Sequence, residues 1–404
     1  MRRVALEAWR KGLKPWAQGG WIHLNAAGAS PAAQEVHDAV VGMMELEREM
    51  GAYRAQEVRT AECDAKTAAA ALLNCDPAEL AVTESAQSAW AKAFASLDFR
   101  PGDRIFCWES EYAGNAVALL QAKRRFGVQL EVLPMRQGRV DVERLEAELV
   151  AFQAARTGRA LVALCHLQTN SSVVQPAEAV GQVARRHQAV FLLDTCQTIG
   201  QMPVDLRRLG CDFACATGRK WLRGPRGTGL LYARGDCQWE LVGEPCMLDH
   251  VSAHWTSPSS YHLAEGARRF EMWETSPALH AGLAAALQLC SSIGPERIWE
   301  RATMLARRLR GRLQDMGLTC CDAEAEPESR AAIVTFAATR PAQEIKEALA
   351  ARRIAVSVSP RIHSFNESDW KEPPVVRLSP SYYNTEDEID AAAAALREIL
   401  EEKT

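Results

Sequence analysis

Short apolar runs separated by helix-length stretches set the rhythm of the chain between residues 80 and 232. They stand at Leu80-Ala81-Val82, Arg104-Ile105-Phe106-Cys107-Trp108, 130–133, 160–164, 190–193, Phe213-Ala214-Cys215 and 229–232. Strands alternating with helices imply crossover connections, and so a mostly parallel sheet covered on both faces. Seven such runs predict one large α/β domain. After a helical pattern at 278–290 the rhythm changes. A basic helix at 296–316 precedes apolar runs at 332–336, 354–358 and 375–378, and a closing helix starts at Thr385 with Asp387 and Glu388 in its first turn. This predicts a smaller α+β C-terminal domain packed with the N-terminal segment. The expected division is an arm at 1–20, a large domain at 21–277 and a small domain at 278–404.

A chain of 404 residues suits two domains with ample core. A formal net charge of −4 leaves nucleic-acid binding to a local basic patch, and none stands out. The twelve cysteines are scattered without a Cys-x-x-Cys spacing, which reads as reduced thiols rather than a metal site. No apolar stretch has the length of a secretory or membrane-spanning segment, so a cytoplasmic protein with no membrane partner is expected.

The sharpest chemical signal is a pair. Asp194 ends the run at 190–193, and Lys220 follows the run at 213–215. A lysine amine that can condense with an aldehyde, and a carboxylate that can keep a pyridine nitrogen protonated, are what a pyridoxal phosphate (PLP) enzyme needs. The surrounding words, Leu193-Asp194-Thr195-Cys196-Gln197-Thr198-Ile199-Gly200 and Thr217-Gly218-Arg219-Lys220-Trp221-Leu222-Arg223-Gly224-Pro225-Arg226-Gly227-Thr228-Gly229, resemble the class V aminotransferase family of fold type I PLP enzymes. That family includes cysteine desulfurases, isopenicillin N epimerase-like proteins and the carbon-sulfur lyases of ergothioneine synthesis. Further motifs fall in the family's order from about residue 21 to 397.

The resemblance implies a role for each motif. Ala86 and Gln87 occupy the phosphate-loop positions, where a helix opening after a strand offers free N–H groups and a dipole. Tyr112, in Glu111-Tyr112-Ala113-Gly114-Asn115, takes the place of the ring that stacks on the cofactor, and its phenol adds a proton donor. Gln197 is placed for the phenolic oxygen of PLP, Thr217 and Arg219 for its phosphate, and Thr169 for the ring. His166 reads as a core histidine. Arg377, in the closing signature that runs from Val376 to Glu388, is expected to clamp the substrate's α-carboxylate. Asn25 and Ala26 line the substrate pocket, and Thr275 or Ser276 reaches the cofactor of the other subunit in a homodimer.

Desulfurases carry a nucleophilic cysteine shortly before the terminal arginine, whereas residues 357–366 contain none. That weighs against a desulfurase and leaves His363 or Arg361 to recognise a polar group of an amino-acid substrate. Gly51-Ala52-Tyr53 and the stretch from Arg219 to Gly227 look most like the sulfoxide lyases. The expectation is therefore carbon-sulfur β-elimination from a cysteine-derived S-conjugate or sulfoxide. An aminotransferase and an epimerase stay open as alternatives. A non-catalytic PLP sensor also stays open, although it would have no need of Arg377.

Overall fold

In a computed structural model, described here for residues 19–58, 64–155, 158–236, 243–361 and 363–402, all seven runs between 80 and 232 are strands of one sheet. They are β1 (Leu80–Thr83), β2 (Arg104–Trp108), β3 (Gln129–Leu133), β4 (Ala160–Cys165), β5 (Val190–Asp194), β6 (Phe213–Thr217) and β7 (Gly229–Ala233). Their order across the sheet is β1-β7-β6-β5-β4-β2-β3. Residues that alternate along each strand enter two different cores. Phe106, Val162, Phe191 and Ala214 pack on one face, and Ile105, Leu161, Leu192 and Phe213 pack on the other. Both faces are apolar, so only the middle layer of a helix-sheet-helix stack can bury them. β3, at the edge, keeps only Leu133 fully buried.

β2, β3, β4, β5 and β6 run parallel, while β7 is antiparallel to both β6 and β1. The reversal of β7 makes β1 point the same way as the parallel strands. The segments after β1, β2, β4, β5 and β6 therefore emerge at one carboxyl edge, where open α/β sheets bind ligands.

A second sheet, three-stranded and antiparallel, has the order β8 (Val334–Phe336), β10 (Val375–Leu378), β9 (Ser357–Ser359). The apolar run expected at 354–358 is split. Ile354–Ala355 pairs instead with Ile22–His23, in parallel, and Ser379 and Leu24 continue the stitching through a 2.8 Å backbone hydrogen bond. The N-terminal segment thus belongs to the small sheet's core, where Leu24, Ala26 and Ala27 pack with Leu305, Ile333, Val376 and Leu396. The arm expected at 1–20 lies outside the described residues, except for its last two.

Helices α1 (Gln34–Met50), α2 (Ala86–Ala95), α3 (Ala113–Phe126), α4 (Pro277–Ile293), α5 (Pro295–Gln314), α6 (Ala342–Ala351) and α7 (Glu386–Glu401) carry the layers. α4 buries Leu283, Ala284 and Leu287 in the core of the large sheet. On that packing we propose that the two units divide near Gly294, after α4, rather than at 277/278. Thr385 caps α7, accepting the Glu388 N–H while the Glu388 carboxylate accepts the Thr385 N–H. Among the described residues, no helix is long and apolar enough to cross a membrane.

One buried ion pair ties α5 to the strand that follows it. The Arg310 guanidinium donates to Asp322 Oδ2 at 2.7 Å and to the carbonyls of Ala331 and Ile333, with both side chains nearly fully buried. Removing one partner strands the other charge away from water. Arg310→Ala is therefore expected to lower unfolding free energy by about 3–5 kcal/mol. A urea midpoint unchanged from wild type would show that the pair is not structural.

Candidate active site

Ser85, Ala86, Gln87, Tyr112, Asn115, Asp194, Cys196, Thr217, Arg219 and Lys220 line one cavity of about 100 Å³ at the carboxyl edge. They come from the ends of four strands, β1, β2, β5 and β6, and from the segments that follow them. The turn after β1 opens α2, with Ser85 as cap: its hydroxyl accepts the Ser88 N–H at 3.0 Å. The N–H groups of Ala86 and Gln87 find no acceptor among the described residues, so the first turn of α2 faces the cavity with unspent donors. Two glycines make the approach possible. A Cβ on Gly229 would lie 2.4 Å from the Ser85 carbonyl carbon, and one on Gly114 would lie 2.1 Å from Gln87 Oε1.

Asp194, 7% exposed, is held from two sides. Oδ1 accepts the Cys196 N–H at 2.9 Å, and Oδ2 accepts Asn115 Nδ2 at 3.0 Å. Asn115 donates also to Glu111 Oε1 at 3.1 Å, and Glu111 takes further hydrogen bonds from the Tyr112 N–H and the Cys165 thiol. One amide thus bridges two buried carboxyls. Burial pushes the Glu111 carboxyl up to about 7, and the charge of Asp194 pushes the same way. This network was missed from the sequence, although Glu111, two residues before α3, stands only four positions from Asn115 in the helix's first turn.

Lys220 sits three residues past the end of β6, and its amine has no hydrogen-bond partner among the described residues. Burial draws it below the ordinary lysine range; Cys196 and Asp194 oppose that shift, while Arg219 and Arg377 reinforce it. A lower pKa leaves more of the free amine, the nucleophilic and basic form. Arg219 donates to the Gly28 carbonyl and has no carboxylate partner among the described residues.

Arg377 lies at the middle of the small sheet, paired with Thr335 on one side and Ser357 on the other. Its Nε donates to Ser357 Oγ at 3.0 Å, and its Nη1 donates to Thr169 Oγ1 at 2.7 Å and to the Thr169 carbonyl. No carboxylate answers it, and Nη2 has no partner among the described residues. Burial brings its pKa down to about 10, helped by Arg219, so it remains a cation at neutral pH.

The remaining expected residues form a second tier. Gln197 accepts Trp221 Nε1 at 2.8 Å and donates to the Ala27 carbonyl and to Thr169 Oγ1 at 3.4 Å, which links Asp194's segment to Arg377. Ala26 is fully buried, and Asn25 bridges to Ser379 with a buried Oδ1 that has no partner among the described residues. His166 is buried with its pKa lowered to about 4 by burial, as a core histidine would be. Tyr112 lines the cavity, but one face of its ring is taken by His363, at 5.6 Å between centroids. Thr275 and Ser276 do not join this cavity within one chain. They line a separate groove of about 630 Å³ with Tyr53 and Trp273, and the Ser276 hydroxyl caps α4.

A family model for class-V aminotransferases matches residues 22–392. The chain belongs to this family. It is 28% identical over 396 residues to the probable cysteine desulfurase of Methanothermobacter thermautotrophicus, covering 94% of each chain. It is also 28% identical over 396 residues to the probable hercynylcysteine sulfoxide lyase of Mycobacterium tuberculosis, covering 96% of this chain and 92% of that one. Among solved structures, the complex between the cystine C-S lyase C-DES and its reaction product cysteine persulfide matches with a TM-score of 0.78 at 25% identity, over 95% of this chain and 98% of that one.

Glu111 makes the pH dependence of folding a test of the network. Its carboxyl titrates near 7 when folded and near 4.5 otherwise. The folded chain therefore keeps a proton that the unfolded chain releases, and the stability this contributes is full below about 4.5 and lost as pH rises through 7. Glu111→Gln cannot ionise. Its stability relative to wild type is expected to rise by up to about 3 kcal/mol between pH 5 and 8 in urea titrations. A difference that does not change with pH would show that Glu111 ionises normally.

Proposed function

We propose that this chain is a PLP-dependent carbon-sulfur β-lyase that acts on a cysteine-derived S-conjugate or sulfoxide, releasing pyruvate, ammonia and a sulfur product. The observation that carries a PLP site for an amino acid is the excess of buried positive charge. Lys220 and Arg377 are buried and Arg219 is half-buried, and they share the site with one carboxyl of the cavity wall, Asp194, whose oxygens accept from two donors. Buried cations need partners, and a phosphate dianion and a substrate carboxylate are the two anions this chemistry brings. The residues fit the cofactor: free N–H groups of Ala86 and Gln87 with Thr217 and Arg219 for its phosphate, Asp194 for its ring nitrogen and Lys220 for its aldehyde.

When bound, PLP supplies an electron-withdrawing ring that stabilises negative charge at the substrate's α-carbon. The chain's residues do the rest. Asp194, fixed by Asn115 and the Cys196 N–H, keeps a hydrogen on the ring nitrogen. Arg377 offers its open Nη2 edge to the α-carboxylate, and Thr169 and Ser357 keep the guanidinium plane from turning. The Lys220 amine, its pKa lowered by burial, takes the α-proton.

Elimination is favoured over persulfide transfer because residues 357–366 hold no cysteine to accept sulfur. It agrees with the similarity to the sulfoxide lyase and to the cystine C-S lyase. The chain is further proposed to act as a homodimer, with Thr275 or Ser276 reaching the partner's cofactor from the groove that Tyr53 and Trp273 line.

Purified protein reconstituted with PLP should be yellow, and borohydride should fix the cofactor to the peptide containing Lys220; labelling of another lysine would overturn the assignment. Arg377→Ala is expected to keep its PLP and lose about 2–5 kcal/mol in kcat/KM for amino acids. Loss of PLP instead would make Arg377 a cofactor ligand. With cysteine S-conjugates and sulfoxides, pyruvate and ammonia should appear in equal amounts. Stoichiometric pyridoxamine phosphate would point to an aminotransferase, and solvent deuterium in unconsumed, inverted substrate to an epimerase.

A further inference from the structure

The segment that holds cysteine in desulfurases is not a loose loop here. Phe365 N–H donates to the Glu109 carbonyl at 2.6 Å, Glu111 N–H donates to the His363 carbonyl at 3.2 Å, and Ser110 bridges to Ser364. Three residues are thus laid antiparallel along the chain that leaves β2. Phe365 packs against the core of the large sheet, and Trp370 Nε1 donates to the Ser364 carbonyl at 2.8 Å.

This anchoring sets the His363 ring in two ways. Its Nδ1 accepts the N–H of Ala113, the first residue of α3, at 3.0 Å. Its plane lies nearly parallel to Tyr112, with 15° between the rings. An Nδ1 that accepts a hydrogen carries none, so the neutral ring bears its hydrogen on Nε2. That atom has no partner among the described residues. The ring is also near enough to Arg377 and Lys220 to feel both charges; burial, aided by those two cations, lowers its pKa and keeps it neutral.

Resting on the lyase reading, we infer that His363 is a specificity-determining residue whose fixed Nε2–H hydrogen-bonds an oxygen on the substrate's leaving sulfur, selecting S-oxides over thioethers. A thioether sulfur is a poor acceptor and leaves the half-buried donor unpaired. An S-oxide oxygen is a strong one. Arg377 holds the substrate's carboxylate end and Lys220 acts at the α-carbon; His363, stacked on Tyr112 of the cavity wall, is placed to meet the third end of a cysteine-sized substrate. The hydrogen bond from the Ala113 N–H and the stacking on Tyr112 together oppose rotation of the ring.

The test compares S-alkyl cysteine with its sulfoxide on PLP-loaded wild type, His363→Phe and His363→Gln. Two quantities are read for each pair: kcat/KM for pyruvate release, and the dissociation constant from the change in bound-cofactor absorbance. Wild type should prefer the sulfoxide in both. Phe keeps the stacking without the donor and should erase about tenfold or more of that preference, the worth of one lost hydrogen bond. Thioether values should stay within twofold. Gln, which restores an N–H near the Nε2 position, should recover part of it. In histidine-labelled protein, the nitrogen NMR signals missing from His363→Phe should be those of an Nε2–H tautomer. An equal preference in wild type and His363→Phe, or none in wild type, would overturn the inference. If neither substrate gives pyruvate, the lyase reading fails, and the ratio of dissociation constants still decides the role of His363.

Discussion

The molecule is organised around the cost of holding several cations away from water in one place. An ionised side chain moved into a low-dielectric cavity loses hydration that only opposite charge or hydrogen bonds can replace. Lys220, Arg377 and the half-buried Arg219 share a region in which Asp194 accepts hydrogen bonds from both sides. Glu111, behind it, is pushed toward its neutral form by burial and by Asp194 itself. The network therefore does not cancel its own charge. The imbalance is stable only in a fold rigid enough to prevent the cations from turning outward, and it is what suits the site to anionic ligands.

Rigidity comes from strand pairing. Asp194 lies opposite Cys215 in the parallel pairing of β5 with β6, which places Lys220, five residues after Cys215, close to the same edge. The reversal of β7 lets the chain leave β6, make the Lys220 turn and return beside β1, whose own end opens α2. Arg377 arrives from the other sheet. Thr169 receives it there, Gln197 contacts Thr169, and Trp221, next to Lys220, holds Gln197. The two sheets are thereby joined through the residues around the cavity, so movement of one unit against the other would be felt at Arg377.

Much of this was legible one motif at a time. The seven strands announced themselves because strands buried on both faces are apolar throughout, and a run of that kind does not depend on which neighbour it finds. The Asp194 and Lys220 words and the start of the closing helix at Thr385 are local as well: each is set by residues within a few positions of one another. The same holds for the absence of cysteine in 357–366, a property of sequence alone.

What the sequence could not contain is which distant segments meet. The bridge from Glu111 through Asn115 to Asp194 depends on two strand connections landing side by side, and the grip of Thr169 on Arg377 spans more than two hundred residues. The stretch around His363 reads as an exposed loop because its large apolar residues, Ile362 and Phe365, stand singly among polar ones, yet its backbone is paired to the segment after β2. The split of the run at 354–358 between two partners, and the placing of Thr275 and Ser276 in a separate groove, have the same origin. Local sequence determined which residues carry chemistry and which elements they sit on. Only long-range pairing, which no short window of residues encodes, decided which of them share a cavity and how their charges act on one another.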